Sequence, residues 1–259
     1  MFNLVVTCVG SKKYKGPSIK RAIMSLIRKG IKNDVEELFN EWKNMLIQHM
    51  RSLSFLPKAR DVYVGAMWNA SIEAFKQIKE DRQLWIMSCG FGFINFDELI
   101  SGYHATFKQR ENDSLYNTEY FNRLKYIDVK KRWWNLLTER GIIETNKPRS
   151  IHELVMNSKP TDVVLIAAGS DYYEAIFDDL NQIDVSTKLP KMAFVGIKRV
   201  NGKYVPRIPT KLEPYVQSYN NGRALREFLG CNAIQVQPRS ASYLIKQYYK
   251  TNKLSYKFP

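Results

Sequence analysis

Three short apolar runs constrain this chain more than any other feature: Asn3-Leu-Val-Val-Thr-Cys-Val9, Leu84-Trp-Ile-Met-Ser88 and Asp162-Val-Val-Leu-Ile-Ala-Ala168. Each is too short for a buried helix and none alternates with polar residues. That is the pattern of strands covered on both faces, as in a parallel sheet. Helical periodicity fills the intervals. Ser18 opens one helix, with Ile19, Ala22, Ile23, Leu26 and Ile27 on a common side, and Val35 to about Leu53 repeats apolar residues at helical spacing. Asp61-Val-Tyr-Val-Gly65 is expected to form another strand, and Asn69 through Lys79 the helix after it. Such alternation predicts an α/β fold with a mixed, largely parallel sheet flanked by helices.

Between about residues 104 and 160 the pattern changes to polar stretches around one helical segment, Val129 to Arg140, then a capping box at Ser150-Ile-His-Glu153. The strand pattern resumes afterwards, so residues 1–259 are expected to be one domain carrying a basic helical insertion. A helix to about Ile183 and a strand from Lys191 to Ile197 follow. Asn201-Gly202 marks a type I′ hairpin, which makes the sheet mixed. Asn221 to Phe228 is expected as a helix stopped by Gly230, Ala233 to Gln237 as a strand, and Ser240 to Lys250 as a final helix.

The formal net charge is +15, from 40 Lys and Arg against 25 Asp and Glu. Charge bears on partners rather than on fold, and nucleic acid is the expected partner, ahead of an anionic membrane surface. Lys20, Arg21, Lys130, Lys131, Arg132, Lys198 and Arg199 are the candidate backbone contacts; for Lys20 and Arg21 a solvated helix face is the alternative. Trp133 and Trp134 follow the basic triplet, where they either stack a base or pack the insertion against the sheet. The three cysteines, Cys8, Cys89 and Cys231, are neither a disulfide framework nor a zinc pattern and fit a reducing cytoplasm. His49, His104 and His152 show no metal-ligand spacing. No signal peptide or membrane-length apolar run is present, so a soluble cytoplasmic protein without metal or cofactor is expected.

In open α/β sheets ligands bind outside the carboxyl ends of the strands. Four such ends carry unusual residues: Cys8 with Gly10-Ser11-Lys12-Lys13, Tyr63 with Gly65, Ser88-Cys89-Gly90-Phe91-Gly92, and Gly169-Ser170-Asp171-Tyr172. Cys89, cradled by glycines, is the candidate nucleophile, favoured as thiolate by a nearby Lys12 or Lys13; otherwise it is a small buried apolar residue. Asp97, Glu98, Tyr103 and Asp171 are candidates for acid–base work, and the carboxylates could also read a guanine-like edge. Surface carboxylates or helix caps are the plainer roles.

These same residues resemble the YaaA-like superfamily. Tyr63-Val-Gly65 is similar to its Tyr-x-Gly element. Ser88-Cys-Gly-Phe-Gly-Phe-Ile94 with Asp97-Glu-Leu-Ile100 and Tyr103 is similar to its Leu-Ser-x-x-Tyr-Gly-Val-Leu and Pro-Tyr segment. Ser170-Asp-Tyr-Tyr173 is similar to its Ser-x-Glu-Tyr, and Val5 to Lys12 lies where its Ser-Pro-Ala-Lys does. The match runs over roughly residues 1–107 and 160–210. It departs at Gly10-Ser11-Lys12 for Pro-Ala-Lys, and at the family's Glu, which is either replaced by Tyr172 or displaced to Asp171. The resemblance implies a single α/β fold with DNA-binding capacity. Its DpdC branch, within systems that place 7-deazaguanines in DNA, implies hydration of a 7-cyano to a 7-amido base, with other proteins of such a system as partners. A non-catalytic DNA-protecting protein, or a glycosidase or transferase acting on nucleotides, are the alternatives.

Overall fold

The computed structural model describes residues 1–259. In chain order the elements are β1 (Phe2–Thr7), α1 (Ile19–Arg28), α2 (Val35–Ser52), α3 (Ala59–Val62), α4 (Ala66–Lys76), β2 (Arg82–Ser88), β3 (Gly92–Asn95), α5 (Tyr126–Arg140) and α6 (Ile151–Asn157). The second half adds β4 (Val163–Ala167), α7 (Ser170–Ala175), α8 (Phe177–Gln182), β5 (Lys191–Val200), β6 (Lys203–Val205), β7 (Val216–Tyr219), α9 (Gly222–Leu229) and α10 (Val236–Thr251). The three apolar runs are β1, β2 and β4. Every residue of β1 and β4 is buried, because helices cover both faces of the sheet there.

The fold is α/β, with a mixed seven-stranded sheet ordered β3-β2-β1-β4-β5 and both β6 and β7 on the far edge of β5. β2, β1, β4, β5 and β7 are mutually parallel, while β3 and β6 run antiparallel at the margins. Counted along the chain, the parallel strands therefore follow the doubly wound order 2-1-3-4-5. In that order successive connections leave β1 in opposite directions, so a crevice opens between the carboxyl ends of β1 and β4. α10 packs on α4 and against β4 and β5, while α5 packs on α2, α7 and β3.

Local signals explain most boundaries. Ser18 caps α1 through its side chain, Asp34 caps α2, and Asn221 caps α9, which ends on Gly230 in the left-handed region. Asn201 and Gly202 both take positive φ, as the type I′ turn between β5 and β6 requires. At α6 the Ser150 hydroxyl accepts from the Glu153 amide, but the Glu153 carboxylate accepts from Arg149 rather than from Ser150.

Some expectations fail. Residues 61–65 do not form a strand: Ala59–Val62 is a helical turn held by Ala59 and Arg60 amides donating to the carbonyls of Glu98 and Phe96. Only Tyr63 pairs, in a single bridge to Lys12. Residues 233–237 are a 3-10 turn running into α10, not a strand. β3 and β7 were not expected at all, being only four residues each. One hydrophobic cluster of 70 residues runs through the sheet and its helices. It includes Leu115, Phe121, Val129, Trp133 and Trp134, so the insertion shares the core of the sheet rather than forming its own.

Candidate functional site

A cleft of ≈760 Å³ lies over the crevice between β1 and β4, within the range of small-ligand sites. Its floor is Thr7 to Lys12 leaving β1, and one wall is Gly169 to Tyr172 leaving β4. Val64 to Met67 at the start of α4, the loop from His104 to Asp113, and Ala233, Ile234 and Gln237 complete it.

The chain after β1 is held open by backbone pairing with the residues before α4. The Lys13 amide donates to Val62 and the Val64 amide to Ser11. Gly65 follows at φ 105° and ψ 174°, a backbone region open essentially to glycine alone, and the start of α4, which has no side-chain cap, lines the cleft at Ala66 and Met67. On the opposite rim, His104 is tied to α1 by Ile19 donating to its carbonyl, and its Nδ1 lies 3.9 Å from Asp113. Asp113 in turn accepts from the Ser18 hydroxyl.

Cys8 and Tyr172 form the central pair, with Sγ and the phenol oxygen 2.9 Å apart. The Tyr172 ring is held edge-on by Phe107, ring centres 5.1 Å apart. Burial, reinforced by the Cys8 thiol, pushes the Tyr172 phenol well above its ordinary value. Burial thus favours the protonated phenol, and either the Tyr172 hydroxyl or the Cys8 thiol can donate in the pair. Lys12 folds back over the site, its ammonium donating to the Val9 and Gly10 carbonyls and lying 4.2 Å from the centre of the Tyr103 ring. Desolvation holds this lysine below the usual range, although the thiols of Cys8 and Cys89 and the carboxylate of Asp113 act to raise it.

Cys8, Ser11, Lys12, Gly65, Ser170, Asp171 and Tyr172 of the expected residues line the cleft. The Ser88–Gly92 turn does not. It is a buried brace under the floor: Ser88 Oγ accepts from the Gly90 and Phe91 amides, the Cys89 carbonyl from the Trp133 indole, and the Gly90 carbonyl from the Trp42 indole. The Cys89 thiol, the candidate nucleophile, is fully buried and outside the lining of the cleft, and burial pushes it well above its ordinary value. Gly90 is there for space, since a Cβ would stand 2.5 Å from the Tyr103 ring. Tyr103 is likewise fully buried, its hydroxyl hydrogen-bonded to Ser88 at 2.7 Å and to Tyr63 at 3.1 Å.

Asp97 and Glu98 are carried away from the cleft altogether. β3 pairs antiparallel with β2 and returns toward the start of the sheet, with Asn95 opposite Trp85. There Asp97 pairs with Lys58 and Arg60, and Glu98 accepts from the Asn95 amide. Lys13 is exposed outside the cleft.

The basic triplet on α5 is corrected too. Lys130 is wholly buried and pairs with Asp171 and Glu174; Lys131 pairs with Asp178, and Arg132 with Glu36. Trp133 and Trp134 are core residues with no exposed ring face. Lys20 and Arg21, by contrast, are exposed on the first turn of α1 beside the His104 rim, and Lys108 and Arg110 are exposed further along that same loop. His104, Phe107 and Asp113 escaped the sequence because they sit in an irregular loop that no periodicity marks. No helix is long and apolar enough to cross a membrane. No protein-family model matches the chain, and no curated protein does.

Proposed function

We propose that the chain is an enzyme modifying a nucleobase of DNA by thiol addition from Cys8, and that the reaction is hydration of the nitrile of 7-cyano-7-deazaguanine to the amide. The observation that carries this reading is the Cys8–Tyr172 pair at the floor of the cleft, a thiol with a proton donor 2.9 Å away. Nitrile hydration requires a nucleophile at carbon and a proton at nitrogen together. The Cys8 thiolate adds to the nitrile carbon while the Tyr172 hydroxyl protonates the nitrogen, which forms a thioimidate. Asp171, on the same wall, takes a proton from water as its oxygen adds to that carbon, and returns the proton to nitrogen. Breakage of the carbon–sulfur bond restores the thiolate and the Tyr172 proton and leaves the amide. Lys12 stabilises the thiolate by charge, and Lys20, Arg21, Lys108 and Arg110 on the rim suit flanking phosphates. The base would reach the cleft by leaving the stack, at a cost of a few kcal/mol.

The test is incubation with DNA containing the cyano base, followed by nucleoside mass spectrometry. The amide is expected with the native protein and with Cys89→Ala, and not with Cys8→Ala. Absence of amide with the native protein overturns the proposal. A second reading, a glycosidase acting on nucleotides, draws on the uncapped start of α4 against the cleft, where backbone amides and the helix dipole favour phosphate. It predicts release of free base, which the same assay detects. A protein that only binds DNA would show neither product and no dependence on Cys8.

A further inference from the structure

A second groove, of ≈290 Å³, lies where the β5–β6 hairpin meets α5 and α7. It is lined by Ile127, Phe177, Tyr204 and Val205, with Arg207 at its edge. Ile127 and Val205 are 41% and 50% exposed, an unusual degree for two apolar side chains facing one groove. The charges around it are one-sided. Lys198, Arg199, Lys203 and Arg207 are all exposed on the hairpin and its exit, and none has an ion pair, whereas the groove's own acid, Glu174, is already bound to Lys130. The Arg199 guanidinium lies 5.7 Å from the centre of the Tyr204 ring.

Position relative to the cleft gives this groove a use. Asp171 lines the cleft and Glu174 lines the groove, three residues apart on α7, and both grip the same Lys130 ammonium. At 1.5 Å per helical residue, the three residues from Asp171 to Glu174 within α7 span roughly 4.5 Å. That is between one and two steps of a stacked strand at about 3.4 Å each, the reach to a neighbouring nucleotide. Half-buried aromatic rings beside unpaired arginines are the features that hold a single strand by stacking and by phosphate attraction.

We infer that this groove is the subsite for a neighbouring nucleotide of the same strand, with its base against Tyr204 and its phosphate on Arg207 and Arg199. The inference rests on the nucleic-acid reading above and extends it to a second contact point. The measurement is fluorescence-anisotropy titration of a labelled single-stranded DNA 12-mer over a series of salt concentrations. Tyr204→Ala is expected to weaken binding roughly 5- to 150-fold, the range of one lost base–aromatic stack. Tyr204→Phe, which keeps the ring, is expected to bind as the native protein does. Arg207→Ala, at an exposed position without an ion pair, is expected to weaken binding and to flatten the salt slope by about one phosphate contact.

If the native protein binds the strand but Tyr204→Ala and Arg207→Ala bind equally well, the groove is not a nucleotide subsite, while the function proposed above survives. Failure of the native protein to bind any strand removes both. Equal weakening by Tyr204→Phe and Tyr204→Ala overturns stacking as the mode of contact. If sedimentation shows a dimer that Arg207→Ala dissociates, the groove is a protein interface and the inference falls.

Discussion

Lys12 sits among groups that favour its charge in a place where burial opposes it, and burial wins. Its proton is lost below the 10.5 of an unperturbed lysine. Between that lowered value and 10.5 the unfolded chain binds more protons than the folded one, so stability rises with pH across the window and a constant penalty remains below it. Urea unfolding of the native protein is therefore expected to show a rise toward alkaline pH that Lys12→Met lacks; parallel curves for the two would contradict the desolvation argument. Cys8 and Cys89 make the same point about environment. Each follows the end of an apolar strand, yet one faces the cleft beside a phenol and the other is enclosed beneath it. Nothing in the residue types distinguishes them.

At the scale of elements, the start of α4 is the joint on which the cleft depends. Gly65 has φ and ψ open essentially to glycine, and an added Cβ would meet only the Ser11 Cβ at 4.0 Å, so the cost of replacing it is backbone strain rather than collision. Gly65→Ala is expected to lower stability by about 1–3 kcal/mol by chemical denaturation. It should also weaken ligand binding in the cleft, because the first turn of α4 would swing off that wall. Retention of both stability and binding would show that the turn tolerates another path. The neighbouring stretch shows why a strand was expected there. Val62, Tyr63 and Val64 carry strong β propensity, but propensity spans only about 1 kcal/mol and context overrides it. Here the Ala59 and Arg60 amides donate to the Glu98 and Phe96 carbonyls, and Ala59–Val62 forms a helical turn instead.

For the whole molecule, the insertion and the sheet are joined through Lys130. This wholly buried ammonium on α5 is compensated by Asp171 and Glu174 on α7, whose side chains are 34% and 35% exposed. Removing one member of a fully buried pair costs about 3–5 kcal/mol, and exposure of the acids reduces that here. Lys130→Met is expected to cost about 1–3 kcal/mol in urea unfolding and to lower turnover as Asp171 loses its anchor; unchanged stability would mean that the pair is not a fastening. Because most of the 40 basic residues lack a carboxylate partner, DNA affinity should fall steeply with salt, as release of condensed counterions requires.

Fold class, the buried strands, the helix starts at Ser18 and Asn221 and the Asn201-Gly202 turn were legible by themselves, because each depends on interactions within a few residues or on a periodicity that burial imposes. So was the gathering of Cys8, Lys12 and Asp171 at strand ends. What only the tertiary structure decided is which candidates share a cavity. β3 turns back antiparallel and removes Asp97 and Glu98, and the α5 tryptophans and Lys130 close over the sheet rather than facing solvent. Helices diverge at β1 and β4 and leave that end open, while Trp42, Tyr103 and Trp133 seal the end of β2. Strand order and long-range packing set those outcomes, and both depend on contacts between residues far apart in the chain.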